Sequence, residues 1–562
     1  MKEVVEVPIS THKKRSLFLK NIILIFFTLL VCSFSISMGL LQLRTPEVIA
    51  HDDSEEKFSS ERAMKYLEII AEKPRPIGSP NHDNVRDYLV SELTKLGVSS
   101  EIQVVKEDLT VWGAPFDGKI ENIVARIPGR ESTRAILLTS HYDSVDHSPG
   151  AADAGSGIAA ILETIRVLSE SKKLKNDIII LLSDGEEIGL LGAQAFAEFH
   201  PWAHEVGIVL NFEARGSSGP SVMFETSNKN ERLITEFIKG ATNPIAHSFI
   251  SEIYKNMPND TDLSIYKKAG MSGLNFAFFE TIHTYHSADD TVENLSLSSL
   301  QHHGENMLDL VRYYGGMNLV DKDQGGNSVY FNSFGKKVIS YPEYLVIPFM
   351  CIMIVAFLIT AILGFIRRKL TILGLIGGMV LFLLIIGMAY FLGIITKGAV
   401  LSILAESSWA MGVDLRMSHP LFITMILVMV GIFLLVYKLA QKKIIVNNLA
   451  VGAFFVLVFI AIYTSLLIKG ASYIFLWPTL LGLIGLNVHF YVNGKWKWFG
   501  KGVMLVIAWL VIMFITPIVY ITYMLLTLDN VGVLLVFIAL LWAFFIPLIN
   551  FNRGEESLCE ST

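Results

Sequence analysis

HYDSVDHSPGAADAGSG, from His141 to Gly157, lies between an apolar run, Ala135 to Thr139, and a helical pattern over about 156 to 169. A strand that gives way to a glycine-rich polar turn and then to a helix is the repeating unit of an α/β domain. Outward from this stretch the alternation continues. Strand-like runs at Ile102 to Val105, Ile120 to Ile127, Asp177 to Leu182, Val206 to Phe212 and Leu274 to Phe279 are interspersed with helical patterns at about 188 to 199, 229 to 240 and 296 to 314. On the N-terminal side Ala63, Leu67 and Ile70 share one helical face, and Val85, Leu89, Leu93 and Leu96 another, with Pro74, Pro76 and Pro80 breaking the chain between them. The spacing predicts an α/β domain with a largely parallel central sheet and helices on both faces.

Polar residues cluster just after the strands: His141, Asp184 to Glu187, and Glu213. Open α/β sheets bind ligands at the carboxyl ends of their strands, so these side chains can converge although the sequence separates them. His141 and Asp153 come from the opening stretch. SDGEEIGLLGA (Ser183 to Ala193) adds Glu186 and Glu187, NFEARG (Asn211 to Gly216) adds Glu213, and HTYHSADDT (His283 to Thr291) adds His286. Two histidines, one aspartate and two glutamates can hold a pair of Zn²⁺ ions if Asp153 bridges them, and Co²⁺ or Mn²⁺ could substitute. Three ligand carboxylates and one hydroxide would then balance two dications. The two adjacent glutamates point in different directions, so Glu187 is assigned to metal and Glu186 to proton transfer, first as base to a water and then as acid to a leaving amine. Asp143 is placed to orient His141 through its second ring nitrogen. His147 competes with His141, and His283 with His286. Arg215 suits either a substrate carboxylate or a nearby Asp, and Tyr285 is a candidate donor to an oxyanion.

The chain of 562 residues is too apolar, at 52% hydrophobic and 17% charged, to be soluble throughout. Its apolar excess is concentrated near the N-terminus and after about residue 343. The organisation reads as a cytoplasmic N-terminus over 1–21, a transmembrane anchor over 22–42, a polar linker over 43–60, a peptidase-sized domain over 61–320, a connector over 321–342 and a membrane domain over 343–562. Seven spans are expected there, at about 344–366, 371–395, 421–438, 447–468, 471–492, 503–526 and 531–551. The first apolar stretch is longer than the core of a cleavable signal peptide and reads as a retained anchor.

Lys13, Lys14, Arg15 and Lys20 precede that anchor. Arg367 to Lys369, Lys438 to Lys443, Lys495 to Lys501, and Arg553 fall in alternate connections of the later spans, so the positive-inside rule places both termini in the cytoplasm and the middle domain outside. Three cysteines, Cys32, Cys351 and Cys559, all lie outside that domain, so disulfides do not hold it together. Acidic residues outnumber basic ones by about three to two between residues 43 and 342, which argues against a nucleic-acid partner. The spans carry almost no ionisable groups, an argument against a transport pathway. Glu406, Trp409, Asp414 and Arg416 cluster in an outer loop instead. Peptide and membrane lipid are the partners this organisation suggests.

The motif series resembles the zinc exopeptidase family that includes dizinc aminopeptidases, glutamate carboxypeptidase II and the transferrin receptor. The resemblance implies His141 and Glu213 on one zinc, Glu187 and His286 on the other, Asp153 as bridge and Glu186 as general base. NDTD, ending at Asp262, is similar to a substrate-side loop of the family, and equally to a capped helix start. Over nearly the whole chain, from FSSERAMKYLEIIAEKPRPIGSP through VYFNSFGKKVISYP to the last span, the sequence resembles the endoplasmic reticulum metallopeptidases and vacuolar membrane proteases. That resemblance implies a membrane-bound aminopeptidase working on the extracytoplasmic or lumenal side, in a cell membrane if the source is bacterial and in an endoplasmic reticulum or vacuole membrane if eukaryotic. A carboxypeptidase, a glutaminyl cyclase-like enzyme or an inactive receptor are the alternatives such a fold can host.

Overall fold

The computed structural model describes residues 30–106, 109–111, 113–320, 325–334, 337–405, 418–492 and 496–549. The anchor is described from α1, Leu30–Leu41, onward, and the Glu406 to Arg416 cluster lies outside the described residues. Helix α2, Ser60–Ile70, is capped by the Ser59 side chain, which accepts from the Arg62 amide, and buries Ala63, Leu67 and Ile70. Helix α3, Pro80–Lys95, starts behind a Ser79 cap with proline in its first turn.

Strand β1, Ser100–Val105, is followed by a small ribbon of β2, Thr110–Val111, and β3, Ala114–Pro115, and then by β4, Ile120–Ile127, and β5, Ala135–His141. Next come α4, Gly157–Ser169, β6, Ile178–Ser183, α5, Leu191–Phe199, β7, Val206–Phe212, and β8, Val222–Thr226. Helices α6, Glu231–Gly240, α7, Ser248–Tyr254, and α8, Asp262–Lys268, lead to β9, Gly273–Ala277, and the long α9, Leu297–Gly316. The main sheet has seven strands in the order β1-β4-β6-β5-β7-β9-β8. Its four central strands, β6, β5, β7 and β9, run parallel, and the parallel character predicted from sequence belongs to them. The flanking β1, β4 and β8 pair antiparallel.

Strand β5 shows why the sheet takes helices on both faces. Ile136 and Leu138 enter one core with α2, α4 and α9, whereas Ala135 and Leu137 enter the opposite core with α5 and α8. Neither face can meet water, so the strand is apolar at successive positions.

The hairpin of β10, Ser328–Asn332, and β11, Val338–Pro342, leads into α10, Val346–Ile366. The helices that follow are α11, Ile372–Ala405, α12, Ser418–Ala440, α13, Val446–Leu467, α14, Tyr473–Tyr491, α15, Lys497–Leu526, and α16, Val531–Leu541. Among the described residues, six apolar helices, α10 to α15, are long enough to cross a membrane. Ile352, Val355 and Leu358 stand exposed along α10, a surface suited to lipid.

The last expected span is different: Val531–Phe544 ends in a 3₁₀ turn, and at about 1.5 Å per residue it falls short of a membrane's ~30 Å core. Pro547 explains the break, because its ring cannot follow a helical Ala543 carbonyl. The freed carbonyls of Ile546 and Ile549 accept from the Tyr437 hydroxyl, and that of Ile549 also from Gln441.

The α/β domain and the bundle share one core. Val222, Phe224, Ala277 and Phe279 from the β8–β9 edge join Val329 and Phe331 of the hairpin in the same apolar cluster as the spans. Polar contacts reinforce it: Ser248 Oγ donates to the Gly470 carbonyl at 2.6 Å, buried His247 meets the Tyr473 hydroxyl at 3.2 Å, and Lys469 pairs with Glu343 at 2.9 Å. The Tyr520 hydroxyl of α15 faces the Glu280 carboxylate, just beyond β9.

Candidate metal centre

Because β6, β5, β7 and β9 are parallel neighbours, their carboxyl ends share one edge of the sheet. His141 is the last residue of β5, Glu186 and Glu187 follow β6, Glu213 follows β7, and the segment after β9 carries His286. Asp153 arrives on a kinked turn, Ala151–Ser156, whose backbone leaves the helical region at Asp153 and Ala154 before it leads into α4. The turn packs too tightly for side chains at its glycines: a Cβ at Gly157 would lie 2.3 Å from Ser140 Oγ and 2.9 Å from the Phe212 carbonyl. The GSG element of the sequence thus lets the bridge candidate sit directly above β5 and β7.

Two groups of side chains meet around Asp153. His141 Nε2 lies 3.3 Å from Asp153 Oδ1 and 3.4 Å from Glu213 Oε2. On the other side His286 Nε2 lies 3.1 Å from Asp153 Oδ2 and 3.0 Å from Glu187 Oε2. Asp153 therefore turns one oxygen to each histidine. In each group the potential ligand atoms lie within 4.8 Å of one another. Tetrahedral zinc with bonds of about 2.1 Å separates its ligand atoms by about 3.4 Å, so both groups have the spacing and the donor chemistry for such an ion. His286 Nε2 is buried without a hydrogen-bond partner although two carboxylates stand close, which fits a nitrogen aimed at an ion between them. His286 itself holds a φ of 51°, the left-handed region, a backbone strain of the kind found at functional positions.

Further contacts fix these side chains. His141 Nδ1 is hydrogen-bonded to the Asp143 carbonyl at 3.2 Å and lies 3.4 Å from Asp143 Oδ1, and the two Asp143 carboxylate oxygens accept the amides of Glu186 and Glu187 at 3.2 Å each. One buried carboxylate thereby orients an imidazole and the loop that brings both glutamates. Asn211, two residues before Glu213 on β7, donates to Glu213 Oε1 at 3.0 Å and leaves Oε2 to face His141. Asp290 accepts the amides of Ala152 and Asp153 at 2.8 and 3.2 Å, and burial pushes its carboxyl up to about 7. Arg75, fully buried, donates to the carbonyls of Tyr142, Pro149 and Gly150 and so holds the whole 142–150 loop; burial lowers its guanidinium to about 10.

Glu186 is half-buried beside the two groups but belongs to neither. Burial, with Glu213, Glu187 and Asp262 nearby, pushes its carboxyl well above the usual range against the pull of His141. Asp262 is the first residue of α8, where the reading of NDTD expects a helix start, but no side chain caps it among the described residues, and Asp262 also faces the site. It accepts from Ser183 Oγ, its Oδ1 is buried without a partner, and burial together with Glu213 pushes it up to about 7. Tyr285 stacks on His286 with ring centroids 3.9 Å apart, and the Arg215 guanidinium carbon lies 5.9 Å from the Tyr285 ring. His147 touches the His286 carbonyl at 2.8 Å from an exposed position, and neither it nor His283 enters a ligand group.

Three contributors are not among the residues that sequence reading singles out: Arg75, Asn211 and Asp290. Asn211 had a usable signal, since residues two apart on a strand share a face. Asp290 stands inside the HTYHSADDT motif. Arg75 had only its position between two prolines.

The model of peptidase family M28 matches residues 122–311. The vacuolar membrane protease of Candida dubliniensis is 30% identical over 336 residues, 58% of this chain and 35% of that protein. Human endoplasmic reticulum metallopeptidase 1 is 31% identical over 321 residues, 53% of this chain and 36% of that protein. The match thus spans about a third of the length of these relatives. Among solved structures, an aminopeptidase from Aneurinibacillus sp. strain AM-1 superposes with a TM-score of 0.39 at 14% identity, covering 51% of this chain and 98% of that one. Porphyromonas gingivalis glutaminyl cyclase gives 0.37 at 22% identity, covering 46% and 97%.

Proposed function

Since residues 122–311 are a peptidase family M28 domain, we propose that the chain is a membrane-embedded two-zinc exopeptidase, an aminopeptidase whose catalytic domain lies on the extracytoplasmic or lumenal side. The observation that carries the two-ion reading is the pair of ligand groups sharing Asp153. His141, Asp153 and Glu213 would hold one zinc, and Asp153, Glu187 and His286 the other. Bound there, the ions would supply Lewis acidity toward a peptide carbonyl and toward an attacking water.

The chain's own residues supply the proton traffic. Glu186, half-buried and without a ligand role, accepts a proton on its carboxylate as the water oxygen bonds to the carbonyl carbon. When the C–N bond breaks, the same carboxyl returns that proton to the departing amine nitrogen. Its place beside both ligand groups, outside either, suits it to carry the proton between these steps. Asp143 keeps the Glu186 and Glu187 amides and His141 in register through both. Tyr285, stacked on His286, is a side-chain donor at hand for a developing oxyanion.

Purified full-length protein incubated with peptides bearing free or acetylated N-termini tests the reading. Cleavage limited to free N-termini, and abolished by Glu186→Gln with zinc retained, is the expected result. Release of C-terminal residues from acetylated peptides makes it a carboxypeptidase, and activity untouched by Glu186→Gln removes the proposed proton carrier.

A further inference from the structure

Arg215 sits two residues beyond Glu213 on a fixed loop. Its amide donates to the Phe278 carbonyl at 3.1 Å, which stitches the loop to the end of β9, and a Cβ on neighbouring Gly216 would lie 2.2 Å from the Glu280 carbonyl oxygen. The guanidinium rests over Tyr285, which in turn stacks on His286. Yet Nε and Nη1 of Arg215 are buried and have no acceptor among the described residues. Asp153, Glu187 and Glu213 are turned toward the histidines instead. Buried guanidinium donors are costly to leave unpaired, and a planar guanidinium is matched to a carboxylate in two-point contact.

We propose that Arg215 binds a carboxylate of the substrate, so that the site favours short peptides with a free C-terminus, or peptides with an acidic residue close to the scissile bond. This rests on the exopeptidase reading. The two ring contacts in series put the guanidinium within about three extended residues of His286, the reach of a di- or tripeptide. Arg75, the other guanidinium beside these acids, already donates to the backbone carbonyls of Tyr142, Pro149 and Gly150.

Calorimetric binding to the full-length Glu186→Gln protein, zinc-loaded and unable to turn over, separates recognition from hydrolysis. The probes are Ala-Ala, Ala-Ala-amide and Ala-Glu-amide. Ala-Ala is expected to bind about 10- to 100-fold tighter than its amide. Arg215→Met reduces that ratio to within about twofold, and Arg215→Lys, which keeps the charge without the fork, restores part of it. Tight binding of Ala-Glu-amide assigns the carboxylate to a side chain, and tight binding of Ala-Ala alone assigns it to the C-terminus. Equal or absent binding of the acids and the neutral amide overturns the proposal. So does a ratio that Arg215→Met leaves intact, with Arg215→Lys standing in if the methionine variant does not fold. Arg215-dependent selectivity in a protein whose Glu186 form cleaves none of these peptides would defeat the peptidase reading and leave the carboxylate site standing.

Discussion

Asp143 is the residue whose alteration separates a designed site from a chance cluster of acids. In Asp143→Asn one carboxylate oxygen becomes an NH₂ group. Whichever way the amide turns, one of the present contacts loses its acceptor: the His141 ring nitrogen and the Glu186 amide share Oδ1, and the Glu187 amide faces Oδ2. All this happens in a fully enclosed place, where an unpaired donor costs about 1–3 kcal/mol. That energy is drawn from the geometry of His141 and both glutamates, so zinc affinity should fall about 10- to 100-fold, in line with the usual loss of a ligand's supporting carboxylate. Zinc titration against a competing chelator measures it, and a thermal melt of the metal-free protein shows how much is lost in folding alone. Unchanged zinc affinity with a folded protein would refute the supporting role given to Asp143.

Three other perturbations probe different parts of the structure. Gly157→Ala, which drives a Cβ to 2.3 Å from Ser140 Oγ, should cost about 1–3 kcal/mol of stability and loosen Asp153, read as a lower Tm with lower zinc content. Tyr520→Phe removes the hydroxyl that faces Glu280 from the bundle side, so a Tm lower by a degree or so (~0.5 kcal/mol) with zinc content unchanged is expected in a thermal melt. His247, buried between the domain and α14, is held by burial down at about 3, below its ordinary 6.5. Its neutral form is the folded form, so its contribution is complete above about pH 6.5 and is lost as pH falls toward 3; Tm should drop across that window less steeply in His247→Gln than in the parent.

Sequence alone made the site legible for a physical reason. Each ligand candidate follows an apolar strand, and a strand buried on both faces leaves an unmistakable run such as Ile178 to Leu182. Where the physics gives no such run, the sequence is quiet. Helices α7 and α8 have seven residues each, too few for a periodic face to emerge, and β8 is a five-residue edge strand beside them. The order β1-β4-β6 at one edge depends on antiparallel pairing that alternation in those strands does not encode. The final helix looked like a full span by hydropathy, and a single proline decided otherwise. Arg75 was hidden for the opposite reason: an arginine is presumed exposed, and only the fold reveals that backbone carbonyls surround it. Spacing alone did not separate His141 from His147 or His286 from His283; the motif resemblance did, and the two ligand groups contain His141 and His286.

The account turns on two ions sharing one aspartate. Zinc per chain, measured by plasma mass spectrometry on the zinc-saturated, dialysed full-length protein, tests that most directly. The account predicts two zincs per chain, two in Glu186→Gln and fewer in Asp153→Ala; one tightly held zinc per chain in the unaltered protein would contradict it.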